Sequence, residues 1–384
     1  MKPVQSNTQN NSDFPGEKMN GARCTYRVDL AQLRENFSYL KRCAGDCHVM
    51  PVLKYNAYGM GFRQIGSALK AAGAYRFAAA TLDEALELKT LGLDVQILGL
   101  LPAWEIAPAV EADIICSADN LQTAELISAE AVRQKKNVRL AVKLDTGMGR
   151  LGFPADKAVE MIKRIAKLPG LIPDSLFSHF ATAAQPDIFF ASLQLKRFLE
   201  VKEALDAAGI VFQHYHHAAG DATIKIPGAV KKPFNLVRPG GKLYGENFTD
   251  PCRQVVEFTT HVGEVRELKA GESTGYYRLF IADKPVRTAV LTAGYADGIP
   301  LALSNKGRVI IRGKYCRILG RISMDYTVVD VSDVPDISVG DEVVLLGKRG
   351  DLAVTVQEWG SLKGTHGHDI WCSIGHRAKR EYVG

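Results

Sequence analysis

With 384 residues and 46% hydrophobic content, the chain is long enough for two domains with ordinary packed cores. A net charge of +6, from 48 basic and 42 acidic residues, is too mild and too scattered to mark a nucleic-acid surface. No run of about 18 apolar residues suggests a membrane span, and seven dispersed cysteines argue against a disulfide framework.

Residues 1–23 are polar and lack an apolar h-region, so they read as a flexible tail and not a signal peptide; a cytoplasmic protein is expected. Asp29 can cap a helix whose Leu30, Leu33, Phe37 and Leu40 share one face. The apolar run from His48 to Leu53 then ends abruptly at Lys54, and an aromatic, glycine-rich turn follows, Tyr55-Asn56-Ala57-Tyr58-Gly59-Met60-Gly61. A lysine there closes a strand at the rim, or it is a Schiff-base amine made nucleophilic by a desolvated site. Cys43 and Cys47, just upstream, lack the second pair that a zinc site needs and read as ordinary thiols.

Strand-like and helical stretches alternate after Lys54. The strands are expected at Phe77–Ala80, Val95–Leu98, Ile114–Cys116, Val138–Leu144, Asp174–Ser178, Gln213–His217 and Leu236–Val237, with helices such as Leu82–Leu91, Leu121–Gln134, Ala155–Lys167 and Phe189–Ala208 between them. With the Lys54 strand they make eight βα units, which predicts a (β/α)8 TIM-type barrel over residues 24–253, close to the ~250 residues usual for that fold. From Gln254 the texture changes to alternating β segments: Val255–Val265, Tyr276–Ala282, Arg287–Leu291, Arg308–Ile311, Cys316–Leu319, Thr327–Val331 and Glu342–Leu346, with one helix near Thr355–Leu362. A mostly β C-terminal domain over residues 254–384 is expected, which makes the fold class α/β barrel plus β domain.

Barrel function collects at the C-terminal strand ends, and the unusual residues fall there. Strand five runs into Lys143-Leu144-Asp145-Thr146-Gly147-Met148-Gly149-Arg150-Leu151-Gly152, strand six ends in Ser178-His179, and strand eight leads to Arg238-Pro239-Gly240-Gly241-Lys242-Leu243-Tyr244-Gly245. The β domain adds Gly294-Tyr295-Ala296-Asp297-Gly298 and Gly320-Arg321-Ile322-Ser323-Met324-Asp325. Each string alone suits a surface turn. In this order, together with the Lys54 string, they resemble the alanine racemase family of fold-type III pyridoxal 5'-phosphate (PLP) enzymes, a resemblance that covers residues 24–384.

The resemblance implies a PLP-dependent racemase that interconverts L- and D-alanine or acts on a similarly small amino acid, as a homodimer with shared sites. It implies that Lys54 carries PLP and serves as one catalytic base, with Tyr295 as the other. Tyr58, Gly220, Gly240 and Gly241 would hold the phosphate, and His179 would lie against the pyridine ring. Arg238 would meet the ring nitrogen; because an arginine stays protonated, the ring becomes a weaker electron sink. Arg150 would contact the cofactor's phenolic oxygen and the substrate carboxylate, oriented by Lys143, which is often carbamylated in the family. Met324 would add a backbone contact to substrate, with Asp325 and His368 in support.

Three positions depart from the family. Gly220 stands where a phosphate-binding serine is usual, Ala184 near the place of an acidic residue, and Gly367-His368-Asp369 in place of Pro-Tyr-Glu. They predict a weaker phosphate grip and a broadened pocket. His214, His216 and His217 with His366 and His368 prompt a metal alternative, a PLP- and metal-dependent D-amino-acid aldolase or dehydratase. The β-domain strings argue against it and no metal is expected. A PLP carrier without turnover would share Lys54 but would not need the Tyr295 string.

Overall fold

The computed structural model describes residues 22–384; the expected tail over 1–23 lies almost wholly outside the described residues. Eight short parallel strands form a ring: His48–Val49, Phe77–Ala79, Val95–Ile97, Cys116–Ala118, Val138–Asp145, Leu171–Phe177, His214–His216 and Leu236–Val237. Five ladders and three single bridges (Val52–Ala78, Gln96–Ile115 and Ala219–Arg238) join each strand to the next, and Leu236–Val237 pairs with His48–Val49 to close the barrel. The second, third, fourth and seventh strands are buried at every position. Buried on both faces, they show no in–out alternation, and Gln96, Ser117, His214 and His216 are buried along with their apolar neighbours.

Helices Leu82–Lys89, Leu121–Arg133, Ala155–Ile165 and Phe189–Ala207 match their expected spans to within two residues. In the helix Leu30–Ala44, Asp29 accepts the Gln32 N–H at 2.9 Å, and Leu33, Phe37, Leu40 and Ala44 form the buried stripe. The buried Asn36 on that helix donates its amide to the carbonyls of Leu243 (2.9 Å) and Arg253 (2.7 Å), tying the helix to the loop after the eighth strand. A buried amide so paired avoids the cost of an unmade bond.

In the second domain six strands close on one another: Glu342–Arg349, Arg308–Ile311, Lys314–Leu319, Thr327–Asp330, Val286–Leu291 and Val256–Leu268, the last returning to Glu342–Arg349. The sequence reading starts the barrel domain at residue 24, and the structure corrects this. Thr25–Asp29 is a strand of the second domain's sheet, antiparallel to Val256–Leu268 and parallel to the C-terminal strand Lys379–Val383. Its alternation shows in the burial of Tyr26 and Val28, but which sheet takes up a five-residue strand depends on partners more than 200 residues away. The expected strand Tyr276–Ala282 shrinks to Phe280–Ile281, because Tyr277 and Arg278 take φ of 63° and 51° and break the extended run. The C-terminal helix Gly367–Ser373 and strand Lys379–Val383 are additions to the expected elements.

Candidate active site

The Lys54 string makes a left-handed turn. Tyr55, Asn56, Ala57 and Tyr58 all have φ between 50° and 57°, and Gly59 continues at 81°. Four successive non-glycine residues there store strain of roughly 1–2 kcal/mol each. The turn is held from several sides. Asn56 Oδ1 accepts the Phe62 N–H at 2.9 Å, Arg380 donates to the Gly59 carbonyl at 3.3 Å, and the Tyr382 hydroxyl donates to the Met60 carbonyl at 2.8 Å. The C-terminal strand of the second domain thus clamps the loop that carries Lys54. Lys54 itself is exposed, its Nζ 6.0 Å from the Tyr58 ring centre, so this chain alone does not supply the desolvated surroundings that the sequence reading requires.

Asp145 shapes the fifth-strand loop. Its Oδ1 accepts the N–H groups of Gly147 (2.9 Å), Met148 (2.8 Å) and Gly149 (3.1 Å), a turn that leaves Arg150 exposed at its end. Lys143 is buried; its Nζ donates to the Leu98 carbonyl at 3.3 Å and lies 5.1 Å from the Phe177 ring centre. Burial, then the charges of Arg238 and Arg150, push its amine down to about 8. Burial, then Arg238, Arg150, Lys143 and Lys54, push the His179 imidazole down to about 3. The same four cations therefore converge on His179, and the mouth of the barrel is electropositive.

Arg238 is buried and donates through one terminal nitrogen to the carbonyls of Ser178 and His217, while its Nε has no protein partner. Burial pushes its guanidinium down to about 9, still well above neutrality, so it stays charged. An unpaired, charged donor at the C-terminal end of the eighth strand is costly unless a ligand acceptor meets it.

Close by, Gly240 and Gly241 leave room that other side chains fill. A Cβ on Gly240 would stand 2.5 Å from the Tyr58 hydroxyl, and one on Gly241 would stand 2.1 Å from Nε2 of His368. His368 reaches this point from the second domain's C-terminal helix, its ring centre 5.4 Å from that of Tyr58 and 5.6 Å from that of Trp371. Gly220 is not simply a lost hydroxyl, as the sequence reading has it. A Cβ there would meet Cγ and Cβ of Lys242 at 2.6 and 2.8 Å, so the lysine stem already occupies the space.

The β-domain strings form a second group. Tyr295 and Ala296 donate their N–H groups to the carbonyls of Ser323 and Met324, both at 3.0 Å. Arg377 bridges Asp297 (3.2 Å) and Asp325 (2.9 Å), locking the two strings together. Tyr295 is 40% and Met324 52% exposed. Among the described residues, no hydrogen bond, ion pair or ring contact links Tyr295, Met324 or Asp325 to Lys54, Arg150 or Arg238. Lys54, Tyr58, Gly240, Gly241 and His368 lie together in this chain, and Tyr295 makes no direct contact with Lys54 among the described residues.

The sequence reading missed Phe177 and Lys242. Phe177 lies beneath Lys143 and Arg238, 5.1 and 5.5 Å from their charged groups, an arrangement that its place one residue before Ser178 could have signalled. Lys242 carried no signal, because its importance lies in a contact with Gly220. The histidines do not gather for a metal: His216 stacks on Phe177 and His217 on Phe180, and among the described residues no three metal-ligating side chains come together.

Comparison with known proteins agrees through both domains. Residues 28–248 match the family model described as alanine racemase, N-terminal domain, and residues 255–382 the one described as alanine racemase, C-terminal domain. The chain is 37% identical over 368 residues to the alanine racemase of Carboxydothermus hydrogenoformans, a match covering 93% of this chain and 98% of that protein. The alanine racemase of Streptomyces coelicolor superimposes with a TM-score of 0.87 at 30% identity, covering 94% of this chain and 98% of the other. That of Bartonella henselae, solved with covalently bound pyridoxal phosphate, superimposes with a TM-score of 0.85 at 28% identity, covering 94% and 100%. By its matched length in both domains, the chain belongs to the alanine racemase family.

Proposed function

We propose that this chain interconverts L- and D-alanine with PLP joined to Lys54. The observation that carries the reading is the setting of Lys54 at the end of the first barrel strand, among the cations around His179, in a chain that matches alanine racemases through both domains. The residues present suit the cofactor: the unpaired Arg238 Nε suits a ring acceptor, and the Tyr58 hydroxyl over Gly240 is a donor that suits a phosphate.

Bound PLP supplies an electron sink that makes the Cα–H of an attached amino acid acidic. The protein supplies the rest. The Arg150 guanidinium matches a substrate carboxylate in plane and charge. Lys54 Nζ and the Tyr295 hydroxyl move the proton, one removing it from Cα and the other returning it from the opposite face. Because Arg238 stays charged, it donates a hydrogen bond and no proton, which weakens the sink and favours quick return of the proton over side reactions. Lys143 as an ammonium repels Arg150; a carbamate on it would hold Arg150 by an ion pair.

The working form is a homodimer with shared sites. Its support is the exposure of Lys54 and Arg150 on the barrel and of Tyr295 and Met324 on the β domain, the latter alongside exposed Tyr276, Tyr277, Leu279 and Tyr326. Such an apolar group marks an interaction surface. The seven free thiols, five of them buried, suit a reducing, cytoplasmic setting.

Chiral separation of products tests the reading. With PLP added, either enantiomer of alanine should be converted to the mixture of both, and Lys54→Ala should abolish conversion in both directions. Borohydride treatment should fix the cofactor to the peptide containing Lys54. A label on another lysine, or turnover without Lys54, defeats it.

A further inference from the structure

At three glycines near the barrel mouth, Gly240, Gly241 and Gly220, a donor-bearing side chain from elsewhere in the chain fills the position a Cβ would take. Tyr58 covers Gly240, His368 covers Gly241 and Lys242 covers Gly220. The first two already belong to the site. Lys242 is unexplained.

Its stem lies against Gly220, and its ammonium reaches Asp221 Oδ1 at 3.4 Å. The same carboxylate oxygen holds Lys225, also at 3.4 Å, and Lys225 donates in addition to the Ala184 carbonyl at 3.0 Å. Asp221 therefore keeps a cation when Lys242 is drawn to another anion. That ammonium is partly solvent-exposed, so turning it costs little in lost contacts. Its charge is felt at both Glu246 and His368, so it lies near the side chain that covers Gly241. Glu246 and Asp221 are anions that compete for it, Lys225, His368 and the Cys252 thiol also lie near it, and His366 sits beside His368.

Resting on the PLP reading above, we propose that Lys242 is the side chain that grips the cofactor's phosphate in place of a hydroxyl at position 220. Gly220 and Lys242 then form one device. The glycine leaves room for the lysine stem, and the lysine brings a full positive charge where a serine brings a neutral donor. A point charge on a flexible stem binds phosphate without a fixed hydrogen-bond direction.

The test compares PLP with pyridoxal, which lacks the phosphate, by equilibrium titration of the apoprotein. Lys242→Met keeps the stem and removes the charge. It should raise the PLP dissociation constant about tenfold or more, the effect of losing a charge-assisted hydrogen bond, and leave that of pyridoxal unchanged. Gly220→Ser alone should weaken PLP binding by displacing the stem, and Gly220→Ser with Lys242→Ala should bind PLP more tightly than Lys242→Ala alone. Thermal melts show whether each apoprotein is folded; should Lys242→Met melt early, Lys242→Arg must retain PLP affinity within about threefold. Equal weakening of both ligands, or no change for PLP in Lys242→Met, overturns the proposal. If the native protein binds neither ligand, it is the PLP reading that fails.

Discussion

Lys143 shows how one side chain's surroundings translate into measurable behaviour. Buried beside Arg238 and Arg150, its amine is held at about 8 against an ordinary 10.5. Between those two values the unfolded chain binds more protons than the native one, so this residue makes stability rise with pH, and its penalty is complete below about 8. Lys143→Met removes the buried charge and keeps most of the packing. In CO2-free buffer the variant's stability advantage should be largest at pH 7 to 8 and should shrink by about 1–2 kcal/mol by pH 9.5, at about 1.4 kcal/mol per unit. Urea titrations of both proteins across that range measure it. A constant difference would mean that the ammonium is not disfavoured in the native state.

At the scale of elements, the left-handed turn after the first barrel strand is where local preference and tertiary demand conflict. Tyr55 is 57% exposed and sits at φ 53°, so it bears backbone strain with little packing in return. Tyr55→Gly relieves that strain but adds freedom to the unfolded chain, and the first effect is the larger for an aromatic residue at this φ. The expected gain is up to about 1 kcal/mol in chemical denaturation of the apoprotein. A loss of stability would show that the Tyr55 ring makes up for its backbone. The turn persists because Asn56, Arg380 and Tyr382 bond its backbone from three directions. Two of these come from the C-terminal strand, so deleting that strand should release the loop that carries Lys54.

For the whole molecule, Lys54 and Tyr295 make no direct contact among the described residues, and whether they serve one site across two chains can be measured. Lys54→Ala lacks one base and Tyr295→Ala the other, and each should be nearly inactive alone. If sites are shared across a two-fold axis, a mixed dimer has one site with both lesions and one with neither. About half the dimers in an equal mixture are mixed, so activity should recover to at most about a quarter of the native value. Background activity after confirmed subunit exchange would mean that each site is built within one chain.

Much of this was legible in the sequence. Most barrel strands are short and largely apolar, and helices such as Leu82–Lys89 and Leu121–Arg133 start at a side-chain cap, so much of the βα alternation is a local signal. Lys54, His179 and Arg238 stand out because charged or titratable groups follow apolar runs, and Arg150 because it closes a glycine-rich turn. What depends on residues distant in the chain was not legible. The strand Thr25–Asp29 could have joined either domain, and only its ladders to Val256–Leu268 and Lys379–Val383 decide the matter. Gly220 reads as a missing hydroxyl until the Lys242 stem is found in its place. His368 is a lone histidine in a short helix until its ring is found against Gly241. Chain pattern encodes periodicity, caps and turns because these are short-range. Which side chain fills the space left by a given glycine is settled by packing between segments, and that exists only once the chain has folded.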